Sequence, residues 1–559
     1  MAILPIDEAK PAIKPELAAG RCDVAHIVQQ IRQAVRSGGH EHACALSHAA
    51  IEAGIRHPFL YYLRALGKGR REEYQQALAD FESARALSPG DPVLQEATGH
   101  CLTMLGRFHE AIETFNLAIV VRPDFARAHY RRGVALGLLN EIDDMRAAHR
   151  RVVELEPHNV DALANLAFIA ARKGEVSEAR IWGERAIAIS LRHGLAYVAL
   201  AMADILEGQY SAAQEKLAAV LNGAAEVRDG RLNMALGFAA DAFDRHRRHR
   251  EAFRLYTEVN ARRRQIHQPR FADGRAIDEV TKLVEATKRC QRRGPDKRSA
   301  ETRASAAGHV FLLGFVRSGT TLLETILASH PSLAASDEHD FLAGAANELL
   351  HGKSDLQQLA SADDASLAHW RSDYWKSVRA AGFSPAGKIF VDKVPLNSLR
   401  LPLIAHIFPD ARILFAIRDP RDVVLSTFRH RFNMYPASFE FLRLDDCARF
   451  YAAVMQLMDS AREKAPFLEI CEVRYEDLIA GFDRTVANVC KFLGIEWNEN
   501  MRHFQSASPA IDRRSQSAAQ VRRGLYQGAT GQWRNYETEL ASVVPILMPW
   551  IRRFGYQPE

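Results

Sequence analysis

The strongest constraint in this sequence is a period. Pro89, Pro123 and Pro157 recur every 34 residues. Four other sets of positions keep the same phase. Ala77, Ala111, Met145, Ala179 and Ala213 form one, and Ala84, Ala118, Val152, Ala186 and Val220 a second. Gly99, Gly133, Ala167 and Ala201 form a third, and Gly106, Asn140, Gly174 and Gly208 a fourth. Each class has a physical reason. Small side chains let two antiparallel helices approach closely. Gly or Asn tolerates the left-handed conformation that ends a helix. Proline cannot continue a helix interior, so it marks the end of the second helix of each unit. A chain with this period folds as stacked helix pairs, about six or seven of them over residues 24–261, and exposes a concave face.

The repeat leaves room in 559 residues for a second domain. A net charge of +5 suits an anionic ligand and is too weak to argue for a nucleic-acid partner. Cys22, Cys44, Cys101, Cys290, Cys447, Cys471 and Cys490 are scattered, with no C-x-x-C pair. They read as reduced thiols of a cytoplasmic protein, neither a metal site nor a disulfide framework. The N-terminal stretch MAILPIDEAKPAIKPEL lacks the apolar core of a signal peptide, and no apolar run is long enough to predict a membrane span. Residues 262–307 open with Arg262, Arg263 and Arg264. They hold one predicted helix around 277–290 and then Arg292, Arg293, Gly294 and Pro295, which break helical order. This stretch reads as a basic linker.

The third segment, 308–559, carries the chemistry. Val310–Leu313 is a short apolar strand, followed by G-F-V-R-S-G-T-T (314–321) and then by Leu322, Leu323, Ile326 and Leu327 at helical spacing. Strand, glycine-bounded turn and helix together aim backbone N–H groups at an anion. The G-x-x-x-x-G spacing is that of a P-loop, yet Thr320 stands where a triphosphate-binding loop has Lys. The cation is Arg317, inside the loop. Further strand-like runs at 388–391, 412–417 and 467–473 end in D-K-V-P, R-D-P-R-D and R-Y-E-D-L. Strands alternating with helices predict a parallel α/β sheet with polar residues at the strand ends, where such sheets bind ligands.

The set G-F-V-R-S-G-T-T, R-D-P-R-D-V-V-x-S, R-Y-E-D-L, S-x-x-Q-V-R and G-x-W-R-N-Y resembles sulfotransferases that use 3′-phosphoadenosine 5′-phosphosulfate (PAPS). The resemblance covers residues 308–559 and extends to tyrosylprotein sulfotransferases, while the N-terminal half resembles tetratricopeptide proteins. The implied architecture is an all-α tetratricopeptide solenoid followed by a P-loop-like α/β domain with a parallel sheet. The resemblance implies that Arg317, Ser318, Gly319, Thr320 and Thr321 hold the 5′-phosphosulfate. Arg418 and Ser426 would hold the 3′-phosphate, with Arg429 or Arg431 assisting, and Tyr475 would lie near the adenosine. An ion pair of Arg418 with Asp419 or Asp422 is the alternative reading of that arginine.

Sulfuryl transfer needs cations and N–H groups near the leaving oxygen and a base near the acceptor hydroxyl. Arg317 and Lys393 are the candidate cations, and Ser517 adds a hydrogen bond. Glu338 lies 21 residues after Arg317, and the resemblance to the tyrosylprotein enzymes makes it the preferred base, with His339 as alternative and Asp337 behind. Three positions depart from the resemblance: Val316 replaces a proline, Asp340 stands where the tyrosylprotein enzymes carry Arg, and Gln532 precedes Trp533 where a basic residue is common. No metal is required. The expected reaction is transfer from PAPS to a hydroxyl acceptor, a protein tyrosine among the candidates. The repeat groove would bind a peptide or protein partner, or else act as a scaffold that sets the geometry of a homodimer. The alternative is a repeat scaffold with a nucleotide-binding domain that has lost turnover.

Overall fold

The computed structural model describes residues 24–223, 230–272, 274–290, 306–350, 359, 362–507 and 527–558. The chain divides into two compact units, Met1–Ala242 and Phe243–Glu559.

Unit one is built from the predicted helix pairs. Successive helices such as Pro92–Met104 with Phe108–Val121, and Val160–Lys173 with Val176–Ile189, pack against each other and onto the next pair. The alanine registers are buried throughout. A Cβ added to Gly99 would stand 2.7 Å from the Phe115 ring, so glycine there sets how closely the two helices approach. Met145 occupies an alanine register because Gly137 lies opposite it: a Cβ there would meet Met145 Sδ at 3.0 Å. Gly106, Asn140, Gly174 and Gly208 all adopt positive φ, as the helix-ending register predicts. The register extends back to Gly38 and Glu72, with φ of 81° and 63°. Glu72 therefore carries left-handed strain that its glycine counterparts avoid.

Unit two is a five-stranded sheet of β1 (Gly308–Gly314), β2 (Leu333–Asp337), β3 (Ile389–Lys393), β4 (Arg412–Ile417) and β5 (Ile470–Arg474). The order is β2-β3-β1-β4-β5 and every pairing is parallel. Side chains alternate between two cores. Phe311, Leu313, Phe390, Ile413 and Phe415 face one, and Val310, Leu312, Val391, Leu414 and Ala416 the other. The chain leaves β1 to one side for β2 and β3 and crosses to the other for β4. The loop after β1 therefore lies at the reversal of strand order, where open sheets form ligand crevices.

The stretch read as a linker differs from expectation where it is described. Arg262, Arg263 and Arg264 belong to helix α1 (His249–His267), and helix α2 (Ala276–Arg289) buries Ala276, Val280 and Val284 in the core of unit two. The basic residues compensate buried acids: Arg264 pairs with Asp446 at 3.2 Å, and Arg275 with Asp446 at 2.9 Å and with Glu440. Buried carboxylates need such partners, so the local excess of arginine is structural. The unit boundary falls at Ala242/Phe243 rather than near residue 261. One reason is that α1 is anchored within unit two: Asn260 Nδ2 donates to the Phe428 carbonyl at 2.8 Å.

Gly99→Ala tests the close approach in unit one. Helix propensity favours alanine by about 1 kcal/mol, and overpacking costs about 1–3 kcal/mol. The variant should lose about 1 kcal/mol in urea unfolding followed by circular dichroism. Gly90→Ala, whose added Cβ meets nothing within 4 Å, should stay within about 0.5 kcal/mol of the native chain.

Candidate active site

All five strands deliver site residues at their carboxyl ends. β1 runs into the loop 315–319, which leads into helix α3 (Thr320–Ala328). Two residues in the loop hold positive φ, Arg317 at 68° and Gly319 at 97°. The first is unusual for a side-chain-bearing residue and reports a loop braced by its surroundings. Ser318 Oγ donates to the Phe315 carbonyl at 2.7 Å, turning the loop on itself. Ser398 Oγ donates to the Gly314 carbonyl at 2.7 Å and accepts from its N–H at 3.1 Å, fixing the strand end. A Cβ on Gly319 would stand 2.5 Å from the Tyr475 ring, so that aromatic side chain lies directly on the loop backbone. Thr320 and Thr321 open α3, with Thr320 buried.

The predicted Arg–Ser pair joins the same surface. Arg317 Nε donates to Ser426 Oγ at 3.1 Å. Arg418 Nη1 donates to the Arg317 carbonyl at 3.0 Å and Nη2 to the Ala529 carbonyl at 2.6 Å. Its guanidinium also lies 5.1 Å from the Tyr475 ring centre. The aspartates of the alternative reading of Arg418 have other tasks. Asp419 caps helix α4 (Pro420–Arg429) and binds Arg421 through both oxygens, at 3.0 and 2.8 Å. Asp422 accepts the backbone N–H groups of Gly531 and Trp533, at 2.7 and 2.8 Å. R-D-P-R-D thus spends its aspartates on Arg421 and on a clasp for the G-x-W-R-N-Y segment. Arg429 is engaged by Asp244 at 2.5 Å, and Gln532 accepts from its other arm at 3.4 Å.

The electrostatics around the loop call for an anion. Burial, then Arg418 and Arg429, push the Arg317 guanidinium down to about 10. The nearby His430 imidazole is pushed down to about 2 by burial and by Arg317, Arg431 and Arg263. Among the described residues, Arg418 Nε is a buried donor with no hydrogen-bond partner. A phosphate at this place would satisfy the orphan donor and relieve the repulsion. The residues therefore fit the phosphosulfate nucleotide that the motifs imply.

Beside this surface lies the second cluster. Parallel register sets Asp337, at the end of β2, next to Lys393, at the end of β3. The Lys393 side chain is fully buried, with Nζ 2.5 Å from Asp337, 3.0 Å from Glu338 and 3.3 Å from Glu324. Burial alone would lower the Lys393 pKa, but the three carboxylates outweigh it and hold the ammonium above its ordinary value. Glu338 sits at φ 48° with its N–H on the Lys393 carbonyl at 3.0 Å, and its side chain is 54% exposed. His339 stays out of this cluster: its ring stacks on Phe341 and meets Phe383 edge-on. Asp340 binds Arg400 through both oxygens, one at 2.9 Å. Ser517 lies outside the described residues.

Glu324 escaped the sequence reading. Burial pushes its carboxyl up to about 7, opposed by Lys393 and reinforced by Asp337. The raised Lys393 and the raised Glu324 are compatible. One ammonium serves three carboxylates, and Glu324, the least exposed of them, bears the largest desolvation. The available signal was an acid flanked by Leu322, Leu323, Ile326 and Leu327 on a helix whose apolar face is buried.

Residues 309–499 match the sulfotransferase family. A curated relative from Aquifex aeolicus (strain VF5), described as an uncharacterized protein, is 24% identical over 425 residues, 72% of this chain and 52% of that protein. The chain thus spans about half the length of that relative. Protein-tyrosine sulfotransferase 2 of Gallus gallus is 23% identical over 260 residues, 44% of this chain and 69% of that one. Protein-tyrosine sulfotransferase 1 of Homo sapiens is 23% identical over 288 residues, 49% and 77%. Among solved structures, YrrB, a TPR protein with an unusual peptide-binding site, is 20% identical and covers 34% of this chain and 95% of its own, with a TM-score of 0.28. MamA is 21% identical, with coverages of 28% and 92% and a TM-score of 0.26. Among the described residues no helix is long and apolar enough to cross a membrane.

Behind the site, alternation turns Asp392 to the opposite face from Lys393. There Tyr374 donates to Asp392 Oδ2 at 2.8 Å, and His309 Nε2 lies 2.9 Å from the Tyr374 hydroxyl. Burial raises the Asp392 carboxyl to about 7, against the pull of the Tyr374 hydrogen bond. The unfolded chain ionises this group near pH 3.9. The folded state therefore keeps a proton that the unfolded state has lost. The resulting stability is fully present below about pH 4 and is lost as pH rises through about 7. Asp392→Asn should flatten the fall in thermal midpoint between pH 5.5 and 8, measured by scanning calorimetry against the native chain.

Proposed function

We propose that this chain, with a sulfotransferase family domain in its second half, transfers a sulfuryl group from PAPS to a hydroxyl acceptor. The observation that carries the reading is the fusion of two anion sites into one surface. Arg317 reaches Ser426, and Arg418 reaches the Arg317 carbonyl, while a buried Arg418 donor is left over among the described residues. A triphosphate enzyme has no need of a second phosphate site at this place.

In this reading PAPS supplies the sulfuryl group. The N–H groups at the start of α3, with Arg317, Ser318, Gly319, Thr320 and Thr321, hold its 5′-phosphosulfate. Arg418 and Ser426 hold the 3′-phosphate, and Tyr475 supports the loop and the adenosine side. Glu338, exposed at the end of β2, accepts the acceptor's hydroxyl proton. Lys393 and Arg317 oppose the negative charge that develops on the leaving oxygen. Glu338 is preferred over His339 as base because its carboxylate touches Lys393, whereas the His339 ring is packed between Phe341 and Phe383. The relatives named for tyrosine transfer support a protein tyrosine as acceptor. Asp340, already neutralised by Arg400, argues against an acidic segment being gripped at that position. The repeat unit would present the acceptor or a partner protein. The free thiols among the described cysteines fit a reducing compartment such as the cytoplasm.

Adenosine 3′,5′-bisphosphate at about a hundred times its Kd should stabilise the protein by about 2.7 kcal/mol. ATP at the same concentration should do far less; equal thermal shifts from both would sink the assignment. Glu338→Ala should lower transfer of labelled sulfate by about 10²–10⁴-fold while leaving the nucleotide-induced shift intact. His339→Ala should keep most of the activity, and the reverse ranking would move the base to His339.

A further inference from the structure

Glu324 has no part in the mechanism above, yet its place is specific. It lies one turn into α3, whose first residues form the anion cradle, and it faces the ammonium of Lys393 from the core side. The alternation along β3 explains the contact. Ile389, Val391 and Lys393 point to the core that also takes Leu322, Leu323, Ile326 and Leu327 of α3. Among the described residues, the charged groups that act on Glu324 are Lys393 of β3, Asp337 of β2 and Glu338 just beyond it. The short helix Phe504–Ala507, packed on α3, has no titratable residue in its sequence.

Three carboxylates around one ammonium leave an excess of negative charge when all are ionised. A phosphosulfate arriving at the start of the same helix adds more, within a poorly solvated interior. Like charges in such a setting favour protonation of the most buried acid. That acid is Glu324, already poised near neutrality by burial.

We propose that Glu324 is a positioning residue for the transfer reaction: it takes up a proton from solvent when the donor nucleotide seats on the 315–321 loop, and so releases Lys393 from its core-side partner. The balance is simple. One proton moves from buffer to a Glu324 carboxylate oxygen, and no covalent bond changes. Lys393 keeps its charge and its contacts with Asp337 and Glu338, but one of its hydrogens is no longer directed inward. The ammonium becomes available to the leaving oxygen only when that oxygen's nucleotide is present.

This inference rests on the sulfotransferase reading, and the test separates the two. Adenosine 3′,5′-bisphosphate binding is measured by titration calorimetry between pH 7 and 9 in buffers of different ionisation enthalpy. The native chain should take up about half a proton per nucleotide near pH 7 and close to one at pH 8 to 9, and its affinity should fall up to about tenfold per pH unit over that range. Glu324→Gln, permanently neutral and nearly isosteric, should bind with a flat pH profile and no such uptake. Glu324→Asp should restore the slope, which a merely structural role would not. Parallel slopes in the native chain and Glu324→Gln would overturn this inference alone. A native chain that binds no nucleotide at any pH would overturn both readings. If Glu324→Gln does not fold, a native uptake near zero overturns the proposal, and an uptake near one that Glu324→Asp retains supports it.

Discussion

A fully buried ammonium governs the second unit. Removing Lys393 from water costs several kcal/mol, and the fold recovers this only by bringing three carboxylates to within 3.3 Å of it. The consequence reaches across the sheet. β2 must pair with β3 in the register that sets Asp337 beside Lys393. Helix α3 must lie over that corner to present Glu324, and Glu338 must turn through positive φ to place its carboxylate on the outer side. The phosphate loop precedes α3 directly, so holding Glu324 on Lys393 also fixes where the anion cradle points.

The donor side works by the opposite imbalance. Arg317 and Arg418 are drawn together through a carbonyl bond, with cationic repulsion left in place and a buried donor unpaired among the described residues. The acids of R-D-P-R-D are largely spent on architecture, although Arg418 still draws on the Asp422 carboxylate electrostatically. Asp419 holds Arg421, and Arg421 in turn donates to the Gln557 and Pro558 carbonyls. Glu476 of R-Y-E-D-L accepts the Asp419 N–H at 3.1 Å and the Tyr556 hydroxyl at 2.6 Å. Motif acids bind the far end of the chain, which leaves motif arginines for an anion. The division explains why these short sequences are dense in both charges.

The repeat period and the strand-end motifs were legible because each repeats a local physical demand: a left-handed cap, a close helix approach, a glycine under an aromatic ring. Gly319 and Tyr475 illustrate this, since two separately recognised motifs prove to be one contact. What was not legible depended on sheet order. The apolar neighbours of Glu324 hint at burial, but its partner Lys393 cannot be named until β3 is known to lie beside β1. The basic stretch from Arg262 misled for a related reason. Its arginines look like a tether until Glu440 and Asp446 are found buried far along the chain. The weak end of the repeat likewise hid that α1 bonds to Phe428 and so belongs with the sheet.

The two clusters meet at one residue pair with unequal access to water. Glu338 is half exposed and Lys393 is sealed, although they touch at 3.0 Å. A base must reach an acceptor that comes from solvent, while a cation facing a leaving group works best where water is excluded. Placing both on adjacent strand ends meets the two demands with a single ion pair. In the proposed transfer, Glu338 takes the acceptor's proton, the pair loses its charge on the exposed side, and the buried ammonium is left to the forming anion. The same contact that stabilises Lys393 at rest is therefore the one that proton transfer weakens.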